Sequence, residues 1–227
     1  PVPGAEFALA SMGIYIFKAD VLVRALEEDA TRPDERRIWH ALRHLQPLAA
    51  TTFLDLGCGA GWATRLAKFE GNAKHVVGLD FSRTALVLAR KHSPQILWVQ
   101  GDGTALPIAD ATFDRLFCNG SLEHFPDVRR GVAEIVRVLR SGGRAVLIVP
   151  NFYVKTEQPM EFRTHYWGWR QQIEAAGLTV EVTEAMTFFS PNGDGVRDRE
   201  RIVFEGDVPG LRGSGTITGR PSFVGTS

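Results

Sequence analysis

FLDLGCGAGWATRLA, at residues 53–67, opens with a short apolar run and continues into three glycines at alternate positions, Gly57, Gly59 and Gly61. The residues after the glycines are compatible with a helix. Glycine permits a sharp turn at positive φ and lets a ligand approach where a Cβ would clash. The stretch therefore predicts a strand, a tight turn and a helix, arranged as in the nucleotide sites of parallel α/β sheets.

A second apolar run, residues 75–79, ends at Asp80, nineteen positions after Gly61. This is the distance at which a βαβ nucleotide site places a carboxylate on a ribose. The third glycine comes one residue too early for the dinucleotide pattern G-x-G-x-x-G, and Asp55 in front of the loop would repel a pyrophosphate. This spacing disfavours an NAD-dependent dehydrogenase. Asp55, the three glycines and Asp80 also fall together at the spacing of such a site, which disfavours a structural turn whose glycines occur by chance.

The pattern D-x-G-x-G-x-G, followed by an acidic residue at the end of the next strand, resembles motif I of class I S-adenosylmethionine (SAM)-dependent methyltransferases. The resemblance implies SAM as the cofactor. SAM carries no phosphate, so a carboxylate beside the loop is tolerable. The cofactor-binding residues implied for this part of the chain are Asp55, Gly57, Cys58, Gly59, Gly61, Asp80 and Phe81.

The segment GDG at residues 101–103, with LP at 106–107, resembles the methyltransferase segment after the third strand. There an acidic residue accepts a hydrogen bond from the adenine amine, which suits a carboxylate because it is an acceptor facing a donor. The resemblance thus implies that Asp102 and Gly103 border the adenine. The alternative is a turn aspartate between two glycines, but its place one strand after Asp80 favours the cofactor role.

The segment NGSLEHFPD, residues 119–127, resembles the family's loop after the fourth strand, which borders the methionine part of SAM. Ligands of such folds bind where the strand order reverses. We therefore expect residues 57–61 and 119–124 to face each other across the ligand. His124 is either a general base or a loop histidine that packs against the next helix, and both hypotheses stay open. The cofactor-binding residues implied here are Asn119, Gly120 and Ser121.

Alternating strand and helix patterns predict an α/β protein with a mostly parallel sheet covered by helices on both faces. The resemblance makes it a Rossmann-like class I methyltransferase fold with seven strands. The expected strands are residues 52–56, 75–79, 96–100, 115–118, 144–149, 178–183 and, antiparallel, 200–205. The expected helices are residues 61–69, a helix capped by Ser82, residues 128–139 with a stop at 141–143, and residues 169–176.

We expect three parts: an N-terminal arm at 1–33, a methyltransferase domain at 34–206 and a loosely ordered tail at 207–227. The arm resembles a short piece of ADP-glucose pyrophosphorylases, and SPNGDG at 190–195 resembles stretches near modules of bacterial surface proteins. Either the chain is a composite, or these end matches are chance. Asn192, Asp194 and Asp198 alternate like the start of a calcium loop, but the closing glutamate is missing, so no metal is predicted.

Composition narrows the function classes. The chain has 227 residues and a formal net charge of zero, so it lacks the basic field that nucleic-acid binding requires. No apolar run is long enough to span a bilayer, and no signal peptide is visible. Two cysteines, Cys58 and Cys118, form neither a disulfide framework nor a zinc site, which favours a cytoplasmic protein. The sequence leaves the oligomeric state open.

The expected function is methyl transfer from SAM to an oxygen, nitrogen or carbon nucleophile of a small molecule. A SAM-binding protein without catalysis and a calcium-binding surface module are the alternatives. The region after the fifth strand is rich in aromatic residues, which suits a pocket for an apolar or planar acceptor, although each of them could equally pack a loop. These residues are Phe152, Tyr153, Phe162, Tyr166, Trp167 and Trp169.

Overall fold

The computed structural model describes residues 7–9, 16–18, 35–150, 162, 164, 166–189 and 197–207. The strands are β1 (Phe7–Leu9), β2 (Ile16–Lys18), β3 (Thr52–Leu56), β4 (His75–Asp80), β5 (Leu97–Gln100), β6 (Phe113–Asn119), β7 (Leu139–Pro150), β8 (Thr179–Phe189) and β9 (Arg197–Asp207). The α-helices are α1 (Glu35–Leu42), α2 (Trp62–Phe69), α3 (Arg83–His92), α4 (Val128–Val138) and α5 (Tyr166–Ala175). Short 3-10 helices span Arg43–Leu45 and Leu122–His124.

The main sheet has the strand order β5-β4-β3-β6-β7-β9-β8. The five strands from β5 to β7 run parallel, whereas β9 pairs antiparallel with both β7 and β8. Strands β1 and β2 form a separate antiparallel pair. The predicted Rossmann-like architecture with a parallel sheet is confirmed. Because the strand order reverses between β3 and β6, the carboxyl ends of these two strands open the crevice in which ligands bind in such sheets.

Helices cover both faces of the parallel strands, as the alternation along β3 requires. Leu54 belongs to a core cluster that α4 and α5 close with Val132, Ile135 and Trp169. Its neighbour Phe53 belongs to a second cluster on the opposite face, which α1 and α2 close. The apolar core therefore holds the ends of β3 and β6 firmly in place.

Two predicted helix boundaries have different outcomes. The side chain of Ser82 accepts a hydrogen bond from the backbone N–H of Ala85 at 3.3 Å, so the predicted cap of α3 is confirmed. The helix predicted at residues 128–139 is confirmed as α4, but residues 141–143 do not mark its end, because β7 begins directly at Leu139. The backbone N–H groups of residues 111 and 112 donate to the last two helical carbonyls at 2.9 and 2.8 Å, so another segment of the chain caps these two carbonyls.

Several expectations concern parts of the chain outside the described residues. These are most of the N-terminal arm, Phe152 and Tyr153 of the aromatic region, Asn192 and Asp194 of the calcium hypothesis, and the tail from residue 208. Within the described part of the chain, no helix combines the length and the apolar character that crossing a membrane requires.

Candidate functional site

The three glycines of the loop after β3 all have positive φ, at 73°, 54° and 84°, but their surroundings differ. A Cβ on Gly57 would lie 2.0 Å from the hydroxyl of Ser121, and a Cβ on Gly61 would lie 2.2 Å from the ring of Trp98. Among the described residues, a Cβ on Gly59 would meet no atom within 4 Å. Gly57 and Gly61 are thus required by packing, whereas Gly59 borders open space that a ligand can enter.

Asp80, at the end of β4, fixes the backbone of this loop. Its Oδ2 accepts a hydrogen bond from the N–H of Gly59 at 2.8 Å, and its Oδ1 accepts one from the N–H of Ser82 at 2.7 Å. The carboxylate therefore joins the glycine loop to the start of α3. Only 1% of the surface of Asp80 is exposed, and the predicted ribose contact stays a prediction.

Asp55 lies beneath the loop, with only 3% of its surface exposed. Its Oδ2 accepts a hydrogen bond from the hydroxyl of Thr64 at 2.5 Å, which links β3 to α2. Burial raises the pKa of Asp55 to about 7, against the opposing effect of the Thr64 bond. Asp55 therefore contributes to the site by holding α2 against β3.

The two cysteines are buried in the described structure. Cys58 packs in a small cluster with Leu86 and Trp98, and Cys118 lies in the large core cluster. Burial raises the pKa of both thiols well above the usual value. A thiol that stays protonated is a poor nucleophile, so neither cysteine is suited to covalent catalysis.

The loop after β6 contacts the glycine loop directly. The hydroxyl of Ser121 donates to the carbonyls of Gly57 and Asn119 at 3.3 and 3.4 Å. Gly120 has a φ of 61°, and its N–H donates to the carbonyl of Ile148 at 2.9 Å. The structure thus brings residues 57 and 119–121 together. Because they touch at Gly57, the space between the loops opens only further along, beside Gly59.

Phe81 and Asp102 follow the paired ends of β4 and β5, where Asp80 lies opposite Gln100. The ring of Phe81 is 45% exposed, although it follows a buried strand. Asp102 is also exposed, and its Oδ1 accepts hydrogen bonds from both the N–H and the hydroxyl of Thr104 at 2.8 Å. An exposed aromatic residue and an exposed carboxylate thus follow the ends of two paired strands.

Gly103 has a packing role. A Cβ on Gly103 would lie 2.1 Å from the ring of Phe125, and the same ring covers Gly131 on α4. The ring of Phe125 therefore lies between the loop after β5 and the first half of α4. Phe125 itself belongs to the loop after β6. Its side chain therefore connects that loop with the loop after β5 and with α4.

His124 and Glu123 lie side by side on the short helix after β6, and both side chains are buried. Nε2 of His124 is 3.9 Å from Oε1 of Glu123. The carbonyl of Glu123 accepts a hydrogen bond from the N–H of Phe162 at 2.7 Å. The ring of Phe162 contacts the buried ring of Trp169 edge to face at 5.1 Å. The aromatic region before α5 is thereby joined to the loop that carries His124.

Glu123 and Trp98 belong to this site but escaped the sequence reasoning. Glu123 carries no signal of its own, because a glutamate beside a loop histidine is usually solvated. Trp98 gave a weak signal, since a bulky ring on a strand next to glycine-rich neighbours indicates close packing. In the described residues, no group of three histidine, cysteine or acidic side chains could hold a metal ion.

Comparisons with known proteins agree with this geometry. A family described as "Methyltransferase domain" matches residues 54–147. A 2-phytyl-1,4-naphtoquinone methyltransferase from Thermosynechococcus vestitus is 43% identical over 101 residues, which cover 43% of this chain and 45% of that protein. A protein of the same name from Trichormus variabilis is 30% identical over 170 residues, which cover 70% of this chain and 72% of that protein.

Among solved structures, an S-adenosylmethionine-dependent methyltransferase from Mesorhizobium loti superposes with a TM-score of 0.65 at 20% identity, and the match covers 77% of this chain and 99% of that one. This likeness shows the fold. The chain spans about half the length of several curated relatives that it matches. The longer match to the Trichormus protein, together with the family match, shows that this chain belongs to the S-adenosylmethionine-dependent methyltransferases.

Proposed function

We propose that this chain is an active enzyme that transfers a methyl group from SAM to a small-molecule acceptor. The observation that carries the proposal is the open space beside Gly59 at the carboxyl end of β3. Asp80 holds the N–H of Gly59, and the loop with Ser121 closes the adjacent position. Open space at a strand-order reversal, beside a fixed backbone, is what a cofactor with an extended, flat shape requires.

The residues around this space fit SAM. Asp80 would bind the ribose, and Phe81 and Asp102 would contact the adenine with an aromatic face and a carboxylate acceptor. Residues 57–61 and 119–121 would border the amino-acid end. When bound, SAM supplies a methyl group that its sulfonium activates, so the protein has mainly to position the reactants and to exclude water.

We assign the methyltransferase domain to residues 34–206, in which β8 and β9 complete a seven-stranded sheet. Residues 1–33 form an N-terminal arm and residues 207–227 a tail, and neither resemblance at the chain ends contributes an activity to this proposal. Both cysteines, Cys58 and Cys118, are free thiols, which supports a cytoplasmic location.

The acceptor in this proposal is a planar, largely apolar molecule with a hydroxylated ring. Two exposed aromatic side chains, Phe162 and Trp167, support it. Phe162 lies at the loop of His124, because its N–H donates to the carbonyl of Glu123. Aromatic faces bind planar rings by stacking. The relatives whose names state a naphtoquinone substrate also support it. His124 would act as a general base on the ring hydroxyl or on the adjacent carbon.

The test is methyl transfer from isotopically labelled SAM to a set of reduced naphthoquinones and simple phenols, followed by mass spectrometry of the products. We expect a labelled methyl group on at least one hydroxylated ring. If His124 is the base, His124→Gln should lower kcat about 100-fold or more while affinity for S-adenosylhomocysteine stays within about threefold.

Equal losses of kcat and of cofactor affinity in His124→Gln would reject its role as a base and leave a packing role. Tight binding of S-adenosylhomocysteine with no turnover of any acceptor would instead favour a SAM-binding protein without catalysis. For the calcium-binding alternative, the melting temperature would have to rise with added calcium.

A further inference from the structure

Trp98 lies beneath the glycine loop in a position that excludes other side chains. A Cβ on Gly61 would lie 2.2 Å from its ring, and a Cβ on Gly78, in the middle of β4, would lie 2.3 Å from it. The ring is 5% exposed. It therefore fills the volume that two glycines leave, one in the loop and one in the neighbouring strand.

The orientation of this ring is fixed from the side of α3. The indole N–H donates to the carbonyl of Ser93 at 2.9 Å, and Ser93 ends α3. The backbone carbonyl of Trp98 accepts a hydrogen bond from Arg90 at 3.3 Å. The ring packs in a separate core cluster with Leu86 and Ala89 of α3 and with Cys58 of the loop. One side chain thus connects α3, β4 and the glycine loop.

We propose that Trp98 is a positioning residue that fixes the glycine loop in the conformation in which Gly59 borders open space. Asp80 accepts a hydrogen bond from the N–H of Gly59, and backbone bonds run from Gly57 and Cys58 to Leu79 and from Gly61 to Cys58. The indole ring adds the packing on the side of β4 and β5, where it blocks Gly61 and Cys58 from moving inward. The effect on cofactor affinity rests on the proposed function, whereas the effect on the loop does not.

The experiment compares Trp98→Leu, Trp98→Phe and the matched control Phe113→Leu. Phe113 is a buried aromatic residue at the start of β6, a central strand, and lies at the strand end away from the crevice. Two quantities are measured in conditions where each variant is folded: hydrogen exchange of a peptide covering residues 57–66, and the Kd for S-adenosylhomocysteine. We expect Trp98→Leu to speed loop exchange and to weaken binding about tenfold, since small misplacements of a binding loop are costly.

Trp98→Phe keeps an aromatic ring but loses the indole N–H and the outer ring atoms that approach Gly61 and Gly78, so its loop exchange and Kd should fall between those of wild type and Trp98→Leu. Phe113→Leu should lower the melting temperature without changing either quantity in the loop. A core residue with a merely structural role would behave like this control.

A second pair of variants tests the contact itself. In the wild type, Gly78→Ala adds a methyl group that collides with the ring of Trp98, so it should speed loop exchange. In Trp98→Leu the shorter side chain leaves room for this methyl group, so Gly78→Ala should do less harm there. The two changes are then non-additive, as expected for residues in contact.

Loop exchange that is unchanged in Trp98→Leu, or strictly additive effects in the Gly78 pair, would overturn the proposal. Faster loop exchange with an unchanged Kd would also overturn it, because Trp98 would then serve stability alone. A folded wild type that binds no S-adenosylhomocysteine would refute the proposed function. The proposal for Trp98 would then be decided by loop exchange in the Trp98 variants and in the Gly78 pair.

Discussion

Single residues of the glycine loop have distinct tasks that the sequence does not separate. The sequence predicted the turn and the approach of a ligand for Gly57, Gly59 and Gly61 alike. In the described structure, of these three only Gly59 has free space at its Cβ position, because Ser121 and Trp98 occupy the space beside the other two. Ser121 lies 64 positions from Gly57 in the chain, so no local pattern could reveal the contact. The predicted cofactor contacts themselves stay predictions.

Asp55 should make stability depend on pH in an unusual direction. Its pKa is about 7 in the folded protein, well above the ordinary value of 3.8. Between these values the folded chain keeps a proton that the unfolded chain releases, so the free energy of unfolding falls as pH rises from about 4 to 7. Over this pH range the ionisation of Asp55 should lower the free energy of unfolding by on the order of 4 kcal/mol. Asp55→Asn cannot ionise and should lack this effect.

Urea unfolding of wild type and Asp55→Asn from pH 5 to pH 8 measures this contribution. The stability of wild type minus that of the variant should decrease as pH rises. A difference that does not change with pH would contradict the account. Asp114→Asn is the control, and its difference from wild type should stay constant from pH 5 to pH 8. Desolvation raises the pKa of Asp114, but hydrogen bonds from Thr52 and Arg140 outweigh it and hold the pKa below its usual value. Its stabilising contribution is present above about pH 4 and is lost as pH falls further.

At the scale of elements, the segment between β5 and β6 is fastened to α4. Arg137 donates to the carbonyls of Ile108 and Leu106 at 2.7 and 3.1 Å and to Asp110 at 2.6 Å. The adjacent Glu134 accepts the N–H of Leu106 at 2.6 Å and also pairs with Arg137. This network holds the chain that follows Asp102, and it combines a planar guanidinium with several acceptors in fixed places.

We expect Arg137→Lys to lower the free energy of unfolding by about 1–2 kcal/mol, because an ammonium cannot reach all these acceptors at once. Urea denaturation measures the change. The matched control is Arg130→Lys on the exposed face of the same helix, which should cost less than about 0.5 kcal/mol. Equal effects of the two substitutions would show that the network does not hold this segment.

The bounds of most elements followed from local patterns, and the exceptions have a physical reason. Apolar spacing and the cap at Ser82 were sufficient for α3. The bounds of α4 were also predicted to within one residue, but the glycines at 142–143 do not cap it, because bonds from residues 111 and 112 satisfy its last two carbonyls. The hydrogen bond between Phe162 and Glu123 could not be predicted from local patterns either, since it joins backbone groups 39 positions apart.

At the scale of the whole molecule, the place of the site followed from topology. Alternating strands and helices give a parallel sheet, and a parallel sheet binds ligands where its strand order reverses. The order β4-β3-β6-β7 puts the glycine loop and the loop after β6 at that point. The supporting contacts of Asp80, Trp98 and Phe125 could not be predicted, because they depend on how side chains from distant segments pack together.

The central claim is that this crevice binds SAM, and calorimetric titration with S-adenosylhomocysteine, the demethylated product, tests it most directly. The informative variant is Asp102→Asn, since an asparagine can keep the turn with Thr104 while replacing one acceptor by a donor. NADH serves as the competing ligand. We expect binding in the micromolar range by wild type, about tenfold weaker binding by Asp102→Asn, and no binding of NADH. A folded protein that fails to bind S-adenosylhomocysteine, or that binds NADH instead, would contradict the account.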